Sequence, residues 1–293
     1  MIVTVTLNAA IDRTLTVPNF QLGQRHRASQ GLTLAGGRTG TRIVEELTSE
    51  AILNDFVRIA DESRTSTAVV DPTAATYTEI NEWGPHVEPE ELAMLLEKIS
   101  YLARGADMVV FAGTLPRGVD DAFYGEAIRD LNRRHVPAVL DSEGPPLRLG
   151  VEAEAFLVTP NQREAEGLVG QELGDDEDYM MALDRIADMG ARNVLITAET
   201  RSFGLFRADR KRTLFRADAP LVEPVSAVGS GDVLLAAFLA ARVADKPLED
   251  SLKIAVAAGA ASTLEVGAGR FEPREATRLQ SSVHVRVLEP VAG

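Results

Sequence analysis

The chain has 293 residues, 45% of them hydrophobic and 25% charged, which excludes a disordered or collagen-like protein. No apolar run approaches the roughly 18 residues a membrane-spanning helix needs. With 30 Lys+Arg against 44 Asp+Glu the net charge is −14, a field that repels nucleic acid and anionic lipid, and the lack of cysteine removes disulfides, thiolate nucleophiles and Cys-metal sites.

Ile2 to Leu7 is β-branched and alternating, which predicts a first strand. Nothing basic precedes it, so no signal peptide is expected and the cytoplasm is the natural setting. Asn8 to Arg13 reads as a turn into a second alternating stretch, 14–17. Residues 66–70 and 76–80 keep the same period, and these early pieces read as hairpins with one wet face. The pattern then changes. Helices are predicted over 89–104, 121–135, 162–169 and 179–189, alternating with short apolar strands at 108–112, 138–141, 155–158 and 193–197. Two Ala-rich helices follow, 232–243 and 248–266. The fold class expected is therefore α/β: a doubly wound, mostly parallel sheet with helices on both faces. A single domain over 1–293 carries a small β-sheet lid drawn from about 12–35 and 63–82.

The most informative local feature is Ala227-Val228-Gly229-Ser230-Gly231-Asp232, running straight into the apolar helix from Val233. Two glycines beside a helix start let backbone approach an anion closely, and the helix N-terminus offers unpaired N–H groups. Asp232 there is either a first-turn carboxylate or a general base beside a held phosphoryl group. Transfer from ATP to a hydroxyl needs both donors for the phosphate and a base for the hydroxyl proton.

Competing signatures are missing. No G-x-x-x-x-G-K-[ST] occurs, Gly229-Ser230-Gly231 lacks the third glycine of a dinucleotide fingerprint, and there is no G-x-S-x-G. The histidines at 26, 86, 135 and 284 show no metal-ligand spacing. Thr159-Pro160-Asn161-Gln162-Arg163-Glu164 reads as a capping box, or as Asn161 and Glu164 ordering waters on Mg²⁺. Arg25 and Arg27 share one face of a strand and can converge on an anion with Arg64, the alternative being solvated surface charge. In so acidic a chain a phosphorylated substrate has to be held by a local cluster of this kind. Asp12 is a turn residue or an acceptor for the hydroxyls of a polyol.

Taken together, these segments resemble the ribokinase-like superfamily, and within it the phosphofructokinase B family and its phosphosugar branch of 1-phosphofructokinases and tagatose-6-phosphate kinases. The matching pieces are TVTLNAAIDRT at 4–14, LAGG at 34–37, SRTSTAVVDP at 63–72, TEINEWGP at 78–85 and FAGTLPRGV at 111–119. LDSEG at 140–144, TPNQREAE at 159–166, SAVGSGDVLLAAFLA at 226–240 and AVAAGAAS at 255–262 continue in family order. The resemblance implies that Asp232 is the catalytic base, with the backbone of Val228, Gly229, Ser230 and Gly231 as the anion hole. It implies Asn161 and Glu164 as the pair that organises Mg²⁺. Asp12, Gly36 and Gly37 match contacts to substrate hydroxyls, Arg25, Arg27 and Arg64 the residues holding the sugar's existing phosphate, and Thr114 a position near that phosphate. Thr197 lies where the nucleotide strand–loop begins, and Ala258 and Gly259 fall on the adenine side. ATP and Mg²⁺ are the implied cofactors, with room for a monovalent cation such as K⁺, and a homodimer through the lid is the implied assembly.

Two departures stand out. The family pattern has a Gly-x-Asn-x-Ala helix and a strand between its first Gly-Gly pair and a second Gly-Gly-x-x-Gly. Here LAGG runs directly into Arg38-Thr39-Gly40-Thr41-Arg42-Ile43, which matches the second element, so one helix and one strand are missing at residues 37–38. An omitted stretch is expected over a true deletion, because losing a core strand would open the sheet. The substrate-contacting Asn of that stretch has no counterpart here. The family's Gly after the strand at 197 is replaced by Ala198-Glu199.

The expected activity is phosphorylation of a ketohexose phosphate, foremost fructose 1-phosphate to fructose 1,6-bisphosphate. Tagatose-6-phosphate or fructose-6-phosphate kinase is the alternative, and a non-catalytic sugar-phosphate-binding protein is the reading from a different class.

Overall fold

The computed structural model describes residues 1–293 except 18, 22–23, 25–29, 33–38, 72, 75, 209–210, 266 and 290–293; the side chains of 12–14, 16, 30–32, 70, 77, 79 and 208 also lie outside the description. The N-terminal third holds β1 (Ile2–Val5), β2 (Ala10–Thr16), β3 (Gln30–Leu32), α1 (Thr39–Ser49), β4 (Arg64–Asp71) and β5 (Thr76–Asn81). There follow α2 (Pro89–Leu102), β6 (Met108–Ala112), α3 (Phe123–Arg133), β7 (Ala138–Asp141), α4 (Gly144–Glu152), β8 (Leu157–Val158) and α5 (Gln162–Val169). The last third contains α6 (Asp176–Met189), β9 (Val194–Thr197), β10 (Arg201–Ala208), β11 (Lys211–Asp218), α7 (Ser230–Val243), α8 (Leu248–Ser262), α9 (Pro273–Leu279) and β12 (His284–Leu288).

Eight strands form one sheet in the order β1-β6-β7-β8-β9-β10-β11-β12. The first five are parallel, with Val5 opposite Phe111, Ala112 opposite Asp141 and Leu140 opposite Val158. β10, β11 and β12 continue it antiparallel. Apolar residues on successive strand positions serve opposite faces, as a two-residue period requires. Val109, Phe111, Leu140 and Ile196 pack with Ile128, Leu131, Leu147 and Ile186 from the helices α3, α4 and α6. Met108, Val110, Val139 and Leu195 pack on the other side with Leu235 and Phe238 of α7 and Val256 of α8. This is the expected doubly wound class.

A second sheet has the order β3-β2-β4-β5. The early strands are not simply a run of hairpins: β2 and β4 are parallel, pairing Ala10 with Arg64 and Leu15 with Val69, while the successive pairs β2–β3 and β4–β5 are antiparallel. Alternation reports a wet face but not strand direction, which is set by the 40-odd residues that separate β2 from β4. The second strand also starts at Ala10, four residues before the expected position. Within this sheet Val17 and Val69 are already covered, whereas Ile80 is 55% and nearby Trp83 90% exposed.

Other boundaries moved for local reasons. The strand expected at 155–158 is confined to Leu157–Val158. α6 begins at Asp176 because Asp175 caps it, its carboxylate accepting from the N–H groups of Glu177 and Asp178. α4, α9, β10, β11 and β12 were not anticipated; α4 carries Pro145 and Pro146 in its first turn, where proline is tolerated because those N–H groups need no intrahelical acceptor.

Candidate active site

Parallel strands bring their C-terminal ends to one edge, and the loops leaving that edge are where α/β sheets bind ligands. Here the last residues of β7 and β9, the residue following β8 and the starts of α5 and α7 meet around a cavity of about 210 Å³. Its walls include Asp141, Thr159, Asn161, Glu164, Thr197, Gly229, Gly231 and Asp232. Thr197 and Asn161 form an isolated parallel bridge, with the Thr197 N–H donating to the Pro160 carbonyl at 3.0 Å, which ties the end of β9 to the start of α5.

The α7 end depends on one glycine. Gly229 caps the helix with φ 76°, and an added Cβ would sit 3.1 Å from the Gly269 nitrogen and 3.2 Å from the Ala268 Cβ. Both the left-handed backbone and the crowding require its bare Cα. Ser230 folds back onto the Ala227 carbonyl through its N–H (3.2 Å) and its Oγ (2.9 Å). Helix-start N–H groups lack intrahelical acceptors, so this wall is suited to an anion, with Asp232 in the same turn.

The α5 end shows that the two sequence readings of Asn161 and Glu164 are compatible. Asn161 Oδ1 accepts the Glu164 N–H at 3.0 Å, and Glu164 Oε2 accepts the Asn161 N–H at 2.8 Å. The capping box therefore holds both polar groups at the cavity wall. Burial raises the Glu164 carboxyl above its ordinary value, and the charge of Glu143 adds to this against the Asn161 hydrogen bonds. Asp141 is pushed up to about 7 by burial first, then by the charges of Asp232 and Glu164. Asp232 and Glu164 thus raise the proton affinity of Asp141 in one small space, a charge imbalance that a hard divalent cation would relieve. Among the described residues no three acidic or imidazole groups form a closed ligand set. The donors fit Mg²⁺ in its usual manner, held by one or two carboxylates and completed by water and phosphate oxygens.

Several sequence-assigned residues lie elsewhere. Thr114 follows β6, its hydroxyl accepting from Asn8 Nδ2 at 2.9 Å. The preceding Gly113 is anchored by its N–H to the Asp141 carbonyl at 2.8 Å, and its own carbonyl accepts from Ser142 Oγ at 2.9 Å. Arg64 opens β4, with Nε donating to the Asn8 carbonyl at 3.1 Å and Nη1 to Asn81 Oδ1 at 3.4 Å. Asp12 sits in β2 opposite Ser66, with its side chain outside the description. Arg25, Arg27, Gly36 and Gly37 lie outside the described residues. Val228 precedes the α7 cap and is not a cavity wall residue. Ala258 and Gly259 are buried in α8, where a Cβ on Gly259 would come 3.2 Å from Leu234 Cβ and 3.3 Å from the Ser230 carbonyl. Their position is behind the α7 start, not on the cavity wall.

Asp141 was missed as a site residue although LDSEG was recognised as a matching piece. The available signal was a carboxylate ending an otherwise apolar parallel strand, at the edge where ligands bind.

The profile of the pfkB family carbohydrate kinases matches residues 21–275. Among curated proteins the chain is 28% identical to a 1-phosphofructokinase of Borreliella burgdorferi, over 93% of this chain and 94% of that one. It is 26% identical to a 1-phosphofructokinase of Vibrio cholerae in an alignment of 316 positions covering 100% of this chain and 98% of the relative. Among solved structures, phosphofructokinase-2 from Escherichia coli in complex with substrates and products superposes with a TM-score of 0.86 at 23% identity, covering 96% of this chain and 98% of that one. The same enzyme has also been solved in complex with potassium. A profile that spans most of the chain, on a fold shared with solved kinases, makes this protein a member of the pfkB family of carbohydrate kinases, an ATP-dependent sugar kinase.

Proposed function

We propose that the chain transfers the γ-phosphoryl group of ATP to the free primary hydroxyl of fructose 1-phosphate, giving fructose 1,6-bisphosphate. The observation that carries this reading is the meeting of Asp232, at a glycine-opened helix start, with Asp141 and Glu164 around one cavity. The names of the curated relatives support the choice of sugar.

Asp232 takes the proton of the attacking hydroxyl, and the N–H groups at the start of α7 stabilise the charge that develops on the transferring phosphoryl group. Asn161, Glu164 and Asp141 are the residues that would hold Mg²⁺, directly or through water. The bound ion supplies neutralisation of the nucleotide's phosphate charge. Thr197 borders the nucleotide side. Arg64, with Arg25 and Arg27, holds the sugar's existing phosphate, Thr114 donates to it, and Asp12, Gly36 and Gly37 contact sugar hydroxyls. The small sheet acts as a lid that excludes water from the reacting groups.

Exposed Ile80 on that sheet, and Trp83 just beyond β5, support a homodimer joined through the lid. The potassium complex of the E. coli neighbour supports a monovalent-cation effect here. A cytoplasmic setting agrees with the metabolic kinases it matches; no helix among the described residues is long and apolar enough to cross a membrane.

The test is ADP release measured with fructose 1-phosphate, fructose 6-phosphate, tagatose 6-phosphate and fructose. The expected order puts fructose 1-phosphate first by kcat/KM. A higher value for either 6-phosphate would move the substrate assignment, and no turnover with any would favour a binding protein.

A further inference from the structure

Asn8, between β1 and β2, joins two residues read above as phosphate contacts, although they are far apart in sequence. Its Nδ2 donates to Thr114 Oγ1 at 2.9 Å, across 106 residues, and its main-chain carbonyl accepts from Arg64 Nε at 3.1 Å, across 56 residues. Thr114 belongs to a loop of the large sheet and Arg64 to the small one. One buried residue thus fixes both.

The chemistry of the amide matters as much as its position. Asn8 is 8% exposed, and its Oδ1 is buried with no hydrogen-bond partner among the described residues. That oxygen lies against Gly84, where an added Cβ would be 2.2 Å from it. What Asn8 does supply is an N–H to Thr114. A hydroxyl that accepts this N–H keeps its own proton for another partner. A phosphate monoester offers mainly acceptor oxygens near neutral pH.

We propose that Asn8 is a positioning residue for the sugar's existing phosphate: it occupies the acceptor side of Thr114, so that this hydroxyl donates to the phosphate, while its carbonyl fixes the Arg64 guanidinium beside it. The proposal rests on reading Thr114 as a phosphate contact, and its test separates the two. Asn8→Asp, Asn8→Ala, Thr114→Val and the double variant Asn8→Ala/Thr114→Val are compared as full-length enzyme with MgATP. Asn8→Asp keeps the shape but turns the donor into an acceptor, which draws the Thr114 proton inward; it carries the test if the alanine variant folds poorly.

In either single Asn8 variant the KM for fructose 1-phosphate should rise about tenfold, as expected for loss of a charge-assisted contact. The KM for ATP should stay within about twofold, and the preference for fructose 1-phosphate over fructose should fall. In the Thr114→Val background, Asn8→Ala should add less than about twofold. The same tenfold effect in that background would show that Asn8 acts independently of Thr114, and would overturn the proposal. So would an unchanged KM in a folded Asn8→Asp enzyme while Thr114→Val raises it. If Thr114→Val itself leaves the phosphate preference intact, the reading of Thr114 fails, and the proposal fails with it.

Discussion

Asp141→Asn removes one of the carboxylates around the cavity without changing the shape of the side chain. Wild-type Asp141 is held up to about 7 from an ordinary value of 3.8 by burial and by Asp232 and Glu164. The folded protein therefore keeps a proton that the unfolded chain has released, throughout that window. Stability contributed by this group is full below about pH 4 and lost as pH rises to about 7, a difference of about 4 kcal/mol. Water admitted to the cavity reduces that figure, so about 2–4 kcal/mol is expected. Urea unfolding of metal-free protein at pH 5 and pH 8 samples the upper part of that range, about 1–3 kcal/mol. The wild type should lose more stability over this interval than Asp141→Asn, and the variant should be the more stable protein at pH 8. Adding Mg²⁺ at pH 8 should then stabilise the wild type more than the variant, and the Mg²⁺ needed for half-maximal turnover should rise about 10- to 100-fold in the variant. Parallel pH profiles for the two proteins, with equal stabilisation by Mg²⁺, would refute the electrostatic account of the cavity.

Asp232→Asn should fold and bind ATP normally while turnover falls by about 10²–10⁴-fold; retention of more than about a third of the wild-type rate would leave Asp232 as a helix-start carboxylate only. Arg64→Ala, and Arg27→Ala, should raise the KM for the phosphosugar roughly 10- to 150-fold with little change for ATP. Equal losses for fructose and its phosphate would assign these arginines to structure. Sedimentation at micromolar concentration should find a dimer that Ile80→Lys or Trp83→Lys dissociates, and a monomer unchanged by sugar phosphate and ATP would rule out pairing through the lid.

What the sequence disclosed follows from how each signal is encoded. The strand at 108–112 and the helix at 162–169 were read at their true ends because burial on both faces makes a strand wholly apolar, and a capping box marks a helix start within one turn. β10 and β11 were overlooked because Arg201, Arg207, Lys211, Arg212 and Arg216 interrupt any apolar pattern. In the fold several of these charges are neutralised across elements, Arg216 by Asp176 at 2.6 Å and Arg212 by Asp188 at 2.8 Å. Such partners lie 24 to 40 residues away and cannot be inferred from a local window. The site shows the same division. Gly229, Asp232, Asn161 and Glu164 announced themselves as contiguous motifs, whereas Asp141 acquires its chemistry from burial first and then from the company of Asp232 and Glu164. Asn8 likewise looks like a turn residue until Thr114 and Arg64 are placed beside it.

A stretch absent at residues 37–38, whether omitted or deleted, would bear on the fold according to where it falls. The alignment with the Vibrio cholerae relative runs over 316 positions although this chain has 293 residues, so at least 23 positions of it have no residue here. That length suits one short helix and one strand, the amount the motif order lacks between Gly37 and Arg38. β1 is the end of the large sheet, and among the described residues it pairs on one side only, with β6. α1, just after the gap, contributes to neither core cluster, and Ile52 and Leu53 beyond it are 51% and 98% exposed. Both features mark a place where packing surface is thin. The cavity, however, is assembled from β7, β8 and β9, separated from that end of the sheet by β1 and β6. Removing a strand from the middle would have separated Asp141 from Thr159 and Thr197. Absence of one beyond β1 would leave the β1–β6–β7 register, and with it the carboxylate geometry, in place. The carboxylate cluster is therefore insulated from a change at that edge of the sheet, whose consequences would fall on the side of β1 and α1.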